Sequence, residues 1–93
     1  MRVKKSADVY LARTALDWVI VRPGLLTDEP GNDLVTAGPA IEYGPVRRDN
    51  VAAFIDAVLH RPALNRTIIE LTDGTTPASE AAADLASFGK SRS

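Results

Sequence analysis

The chain has 93 residues, of which 45% are hydrophobic and 25% are charged, and its formal net charge is −1. A chain of this length forms one small domain with a thin core. A net charge near zero argues against a nucleic-acid-binding surface, which requires a clustered excess of Lys and Arg. The absence of cysteine excludes a disulfide framework, a zinc-thiolate site and a thiol nucleophile. No apolar run approaches the roughly 20 residues of a membrane span. Without cysteine or a signal peptide, the sequence favours a cytoplasmic protein.

The first predicted element is a helix over residues 3–15. Its apolar residues recur at helical spacing. They are Val3, Ala7, Tyr10, Leu11 and Ala15. This pattern places Tyr10 on the apolar side of the helix, and we therefore expect it in the core.

Residues 17–21, with the sequence DWVIV, predict a buried strand. Its apolar residues do not alternate with polar ones, which is typical of a strand in a parallel sheet that helices cover on both faces. The pairs Pro23-Gly24 and Pro30-Gly31 predict type II turns after this strand, with a positive φ at each glycine.

The middle of the chain predicts one clear helix, over residues 49–60. It carries a continuous apolar face and is ended by Pro62. Before it, residues 33–43 are ambiguous, because the sequence is compatible with short strands near 33–36 and 40–43.

The last part of the chain predicts a strand and a helix. Residues 67–72, TIIELT, form the strand, and Thr76 caps a helix that has Pro77 at its first position and ends near Phe88. We expect residues 90–93 to be a flexible tail. The order helix, strand, excursion, helix, strand, helix contains a βαβ unit. It predicts the α/β class, as a portion of a doubly wound parallel sheet.

Four segments together resemble a known family. They are VKKSADVYL, ALDWVIVRPGLLTDEPG, GPVRRDNVAAFIDAVL and IIELTDGTTPASEA, in this order along the chain. In order and spacing they resemble the C-terminal part of the atypical short-chain dehydrogenase/reductases, the NAD(P)H-binding, NmrA-like branch. The resemblance implies that residues 1–89 are the C-terminal segment of a Rossmann domain. The glycines of the chain lack the GxGxxG or GxxGxxG spacing that holds the dinucleotide pyrophosphate. We therefore expect the part that binds the pyrophosphate to lie outside this chain.

The resemblance also implies candidate site residues. Lys4 falls at the position of the family's lysine, which binds the nicotinamide ribose and lowers the pKa of a catalytic tyrosine. That tyrosine would lie before Met1, and Lys5 is the alternative if the register shifts by one. The segment Arg22-Pro23-Gly24-Leu25 matches the family's segment beside the nicotinamide. The alternatives are a solvated lysine and a plain turn after a strand, with Arg22 anchored by a carboxylate or a carbonyl.

Other polar residues predict no chemistry of their own. Thr27, Asp28, Glu29 and Asp33 form a solvated acidic loop, since nothing in their spacing makes the carboxylates converge on a metal ion. His60 supplies a charge at the end of its helix.

These observations predict a C-terminal fragment of an NAD(P)-dependent oxidoreductase or epimerase-like protein. It would form a wall of the substrate pocket and the loop beside the nicotinamide, and it would be inactive alone. The parent would use NAD(P) and a small-molecule substrate, with neither nucleic acid nor membrane as a partner. The alternative is a stand-alone, non-catalytic module for self-association or partner binding. In the family's sheet one edge of residues 17–21 pairs with the missing part, so we expect that edge to be unpaired and to bind either this part or a second copy.

Overall fold

The computed structural model describes residues 8–14 and 17–91 of the chain. The elements are β1 (Val9–Thr14), β2 (Asp17–Pro23), β3 (Leu25–Thr27), β4 (Leu34–Gly38), β5 (Pro45–Arg47), α1 (Arg48–Leu59), β6 (Thr67–Asp73), β7 (Thr76–Pro77) and α2 (Ala78–Ser91).

The main sheet has five strands in the order β1-β2-β6-β4-β7. Strands β2 and β6 are parallel, whereas β1 pairs with β2, and β4 with both β6 and β7, in the antiparallel sense. A separate pair of short strands, β3 and β5, is parallel. The fold is therefore α/β, as expected, but only one pair in the main sheet is parallel.

The core lies between one face of the main sheet and the two described helices. We call this the inner face. Its most buried strand residues are Val19, Val21, Val35, Ile69 and Leu71, and the helices contribute chiefly Val51, Phe54 and Val58 from α1 and Ala78, Ala81 and Ala82 from α2. Val21 pairs with Ile69 across the parallel strands, so the apolar side chains of neighbouring strands form continuous rows.

The opposite face of the sheet, the outer face, has no described helix on it. Tyr10, Ile20 and Ile68 are register partners across β1, β2 and β6, which makes one apolar row on this face. Tyr10 is 61% exposed and Ile68 is 40% exposed. The expected covering of the sheet on both faces is thus not found in the described part of the chain.

Several predicted elements are confirmed. The strand at 17–21, the helix at 49–60 and the strand at 67–72 correspond to β2, α1 and β6. The strand near 33–36 corresponds to β4. The strand near 40–43 is wrong, because those residues form a loop before β5.

The start of the last helix differs from the prediction. Thr76 and Pro77 pair with Val35 and Leu34 of β4, and α2 begins only at Ala78. Proline fits this position because an outermost strand leaves one side of its backbone without a sheet partner. The helix continues to Ser91, so its last two residues fall within the predicted tail.

The helix predicted over 3–15 is wrong where the structure describes it, since residues 9–14 form β1; residues 3–7 and 15 lie outside the described residues. Val9 and Leu11 pack partly against the core, while Tyr10 is exposed. The same residues therefore fit the two-residue period of a strand. As a strand, they also give hydrogen-bond partners to backbone N–H and C=O groups of β2 that would lack partners if these residues formed a helix. The edge of β2 that we expected to be unpaired is consequently occupied by β1.

The type II turns are also wrong, because no described glycine has a positive φ. Gly24 and Gly31 are instead required by close approach. A Cβ on Gly24 would clash with the carbonyl oxygen of Gly44, and one on Gly31 would lie 2.5 Å from Cβ of Asp49. Among the described residues, no helix is long and apolar enough to span a membrane.

Candidate functional site

The candidate site lies where β2 and β6 end. Because these strands are parallel, their carboxyl ends, Pro23 and Asp73, lie at the same edge of the sheet. The chain leaves β2 into β3, and α1 begins directly after β5, which pairs with β3. Ligands of open α/β sheets commonly bind beyond the carboxyl ends of parallel strands.

The segment from Arg22 to Leu25 is held at this edge by backbone hydrogen bonds. Gly24 N–H donates to the Leu71 carbonyl at 2.9 Å, and Leu25 N–H donates to the Gly44 carbonyl at 3.0 Å. Pro23 is buried, whereas the Leu25 side chain is 60% exposed. The segment thus presents one apolar side chain to solvent from a fixed backbone.

Arg22 points to the outer side of the sheet and forms an ion pair. Its Nε donates to Oδ2 of Asp8 at 3.1 Å, and both side chains are partly exposed. The carboxylate that anchors Arg22 therefore lies at the start of β1, not in the loop that follows β2.

Asp73 links the end of β6 to β5 and α1. Its Oδ1 accepts hydrogen bonds from Arg47 N–H at 3.0 Å and from Asn50 Nδ2 at 2.9 Å. The Arg47 guanidinium lies between two carboxylates, with Nε 3.4 Å from Asp73 Oδ2 and 3.6 Å from Glu29 Oε1. Arg47 Nε is buried and makes no hydrogen bond, and the same is true of the hydroxyl of Thr27, its register partner on β3.

Asn50 is fully buried and joins three parts of the site. Its Oδ1 accepts from the backbone N–H groups of Asn32 and Asp33, at 3.0 and 2.9 Å. Its Nδ2 donates to Asn32 Oδ1, the Leu34 carbonyl and Asp73 Oδ1. The sequence contained a signal that we did not use: Asn50 lies four residues before Phe54, on the buried side of α1.

The acidic loop packs on the start of α1. Asp28 accepts from Arg48 Nε at 2.8 Å, and the Gly31 N–H donates to Asp49 Oδ2 at 3.2 Å. Asp33 adopts a positive φ of 64°. Among the described residues, no group of three or more His, Asp or Glu side chains is placed to hold a metal ion.

A shallow pocket opens beside this network. Its lining includes Thr36, Tyr43, Thr72 and Asp73, and it lies between the loop before β5 and the end of β6. Hydroxyl and carboxylate groups of this kind can orient a small polar molecule by hydrogen bonds. His60 follows the far end of α1, where Nδ1 lies 2.8 Å from the Asp56 carbonyl, and so takes no part in this site.

The structure therefore brings four predicted site residues, Arg22 to Leu25, to the carboxyl edge of the sheet. Lys4 and its alternative Lys5 lie outside the described residues. Sequence reasoning missed Asp73 and Asn50, which organise the edge.

The chain is similar to known proteins over most of its length. The family described as NAD(P)H-binding matches residues 1–62. The chain is 38% identical over 78 residues to the uncharacterized sugar epimerase YhfK of Bacillus subtilis, covering 84% of this chain and 36% of the relative.

Two solved structures are similar in fold. One is the oxidoreductase ylbE of Lactococcus lactis, with a TM-score of 0.72 and 26% identity, over 80% of this chain and 33% of that one. The other is a Bacillus halodurans protein assigned as an NAD-dependent epimerase/dehydratase, with a TM-score of 0.70 and 28% identity, over 77% of this chain and 35% of that one. The chain spans about a third of the length of each of these relatives.

Proposed function

The chain belongs to the NAD(P)H-binding family, and from this membership we propose that it is the C-terminal part of an NAD(P)-dependent oxidoreductase or epimerase-like protein. In that protein it forms one wall of the substrate pocket and the loop beside the nicotinamide. The observation that carries the proposal is the placement of residues 22–25 and Asp73 at the shared carboxyl edge of β2 and β6. The Rossmann-like relatives with the same fold support it.

The described residues do not fit the pyrophosphate of a dinucleotide. A pyrophosphate site needs glycines that leave room for the ligand beside a helix N-terminus. The space beside Gly24 is filled by Gly44, and the space beside Gly31 is filled by Asp49 and Asn50. We therefore assign the pyrophosphate-binding site to a part of the parent protein outside this chain. We expect this chain alone to bind NAD(P)H weakly and to be inactive.

The role that we propose for this chain is to line the part of the cofactor site that holds the nicotinamide. NAD(P), when bound to the parent, supplies the hydride chemistry, while the protein orients the reactants. We propose that Arg22, Pro23, Gly24 and Leu25 border the nicotinamide, with the Leu25 side chain providing an apolar contact. Lys4 binds the nicotinamide ribose in this proposal. The polar lining of the neighbouring pocket then contacts the substrate.

A titration tests the cofactor claim. NADPH is added to the purified chain and binding is followed by calorimetry and by nucleotide fluorescence. We expect no binding in the low micromolar range. A dissociation constant in that range would show that the chain has its own phosphate site, and the proposal would then fail.

A longer form of the protein that includes a glycine-rich turn tests the assigned residues. Lys4→Ala should weaken NADPH binding, whereas Lys5→Ala should leave it unchanged. Leu25→Asp should weaken binding as well, and Leu59→Asp, at a partly exposed position on α1, is the matched control. Equal binding by all four variants would remove these residues from the cofactor site.

The alternative function is a stand-alone module that associates with itself or with a partner and has no catalytic activity. One observation favours it: the outer face carries the apolar row Tyr10–Ile20–Ile68, in which Tyr10 and Ile68 are exposed and Ile20 is partly buried. The reading frame upstream of Met1 discriminates the two functions. A strand, a glycine-rich turn and a helix encoded there would support the oxidoreductase part.

A further inference from the structure

The two ends of the main sheet differ in how far they are protected. At one end, β7 has two residues, one of which is Pro77. Short strands and proline are devices that prevent another strand from adding to a sheet. At the other end, β1 has six residues, VYLART, with no proline. Among the described residues, β1 pairs only with β2 in the sheet, so residues 9–11 have a strand beside them on one side only.

The side chains of β1 leave the core incomplete at this end. Val9 and Leu11 are only partly buried, although both pack against the core on the inner face. On the outer face, Tyr10 is exposed and stacks on Trp18 of β2, with ring centroids 6.5 Å apart and planes 21° apart. Another strand beside β1 would bury more of all these side chains.

We propose that β1 is a self-association surface that pairs antiparallel with β1 of a second copy of this chain. The two-fold axis passes beside Tyr10, so that Tyr10 lies opposite Tyr10 of the second copy. Val9 then lies opposite Leu11 of the second copy, and Leu11 opposite Val9. The result is one continuous sheet through both molecules.

The sequence of β1 makes this pairing self-complementary, which a two-fold interface requires. Residues directly opposite each other in an antiparallel pair share a face of the sheet. In the proposed register the inner face contains only Val and Leu at the centre of the contact, and the outer face contains a row of aromatic rings from Trp18 through both tyrosines. The irregularity in β1 falls between Ala12 and Thr14, so residues 9–11 keep a regular strand geometry.

Charge does not oppose the pairing. Asp8, at the start of β1, is bound to Arg22 of its own chain. The contact is short and buries little area beyond the strand, so we expect a weak, concentration-dependent dimer and not an obligate one.

A single introduced cysteine tests the register. The chain has no cysteine of its own, so Tyr10→Cys carries one thiol per molecule. Opposed Cα atoms of an antiparallel pair are about 4.5–5.5 Å apart, and disulfides span about 4.4–6.8 Å. Under mild oxidation, Tyr10→Cys should form a covalent dimer, and denaturing urea should abolish the reaction. Tyr43→Cys is the matched control, because Tyr43 is 57% exposed but lies in a loop. Equal crosslinking of both variants, or none of Tyr10→Cys, would overturn the proposal.

Light scattering across a concentration series tests whether the dimer contact is formed by the β1 edge or by the outer face of the sheet. The unmodified chain should dimerise as concentration rises, Tyr10→Lys should be monomeric, and Ile68→Lys, in the interior of the sheet, should still dimerise. If the unmodified chain is monomeric at all concentrations, β1 does not pair with β1 of a second copy. Loss of the dimer in both variants would assign the contact to the outer face instead. Either result would overturn the proposal.

Discussion

Asn50 of α1 donates a hydrogen bond from Nδ2 to Oδ1 of Asp73, at 2.9 Å, and so ties the start of a helix to the end of the central strand β6. The same Asn50 side chain holds the backbone of the loop before β4 through Asn32 and Asp33. One buried amide therefore fixes the positions of the carboxyl edge of the sheet, the helix start and the acidic loop relative to each other.

Replacing this amide should be costly. Asn50→Ala leaves buried donors and acceptors unpaired, and each such group costs about 1–3 kcal/mol. We expect the free energy of unfolding to fall by about 2–4 kcal/mol, measured by urea denaturation. Asn65→Ala is the control, since exposed Asn65 makes one hydrogen bond to the Pro62 carbonyl. Similar losses for both variants would contradict the role assigned to Asn50.

Gly24 and Gly44 should respond differently to the same substitution. Gly24→Ala would make the new Cβ clash with the Gly44 carbonyl oxygen and must displace the backbone. At Gly44, a new Cβ would meet Cγ2 of Thr72 at 3.9 Å, an ordinary van der Waals contact. We expect a clear loss of thermal stability for Gly24→Ala and little change for Gly44→Ala. The opposite ranking would show that the contact between the two loops is not rigid.

Phe54 is the largest fully buried side chain of the core. Phe54→Ala should lower the free energy of unfolding by about 3–5 kcal/mol through lost burial and a cavity. A domain of this size has a total stability of only about 5–14 kcal/mol, so we expect a strongly lowered melting temperature. Leu59→Ala, at a position 46% exposed on the same helix, should change it far less. Circular dichroism melts of both variants measure the difference.

Substitution of Arg22 and of Arg48, which form similar surface ion pairs, distinguishes a structural from a functional role of Arg22. Both are at the surface, with N–O distances of 3.1 Å to Asp8 and 2.8 Å to Asp28. Exposed pairs contribute less than about 1 kcal/mol. Arg22→Met and Arg48→Met should therefore change stability little and to a similar extent. In a longer form with the glycine-rich turn, only Arg22→Met should weaken NADPH binding, which a titration of both variants measures.

The sequence predicted best those elements whose pattern agrees with their surroundings. Helix α1 has a wide apolar face and a proline just beyond its end, and β2 and β6 are rich in β-branched residues. At these positions local preference and tertiary packing favour the same structure, and both position and type were predicted. The candidate segment 22–25, which comprises the last two residues of β2, Gly24 and the first residue of β3, was identified from the family resemblance and not from local preference.

Residues 9–14 show why the rest was not predicted. Val9, Tyr10 and Leu11 fit a helical stripe and a strand alternation equally well over so short a span. The open backbone of β2 decides between them, and that partner is not visible in a local pattern. The same applies to Gly24, whose glycine is required by Gly44, a residue on a different loop. Asn50 was missed because its partners come from the loop before β4 and from the end of β6.

The position of β6 in the sheet sets an order of events during synthesis. β6 lies between β2 and β4 but follows both along the chain. As the chain leaves the ribosome, β1 can pair with β2, and β3 with β5, but β2 and β4 have no common neighbour until residues 67–73 emerge. Pairings between segments distant in sequence form late and leave unpaired strands exposed meanwhile. A chain that ends before Thr67 would therefore leave one edge of β2 and both edges of β4 unpaired, and such exposed strands are targets for chaperones and proteases.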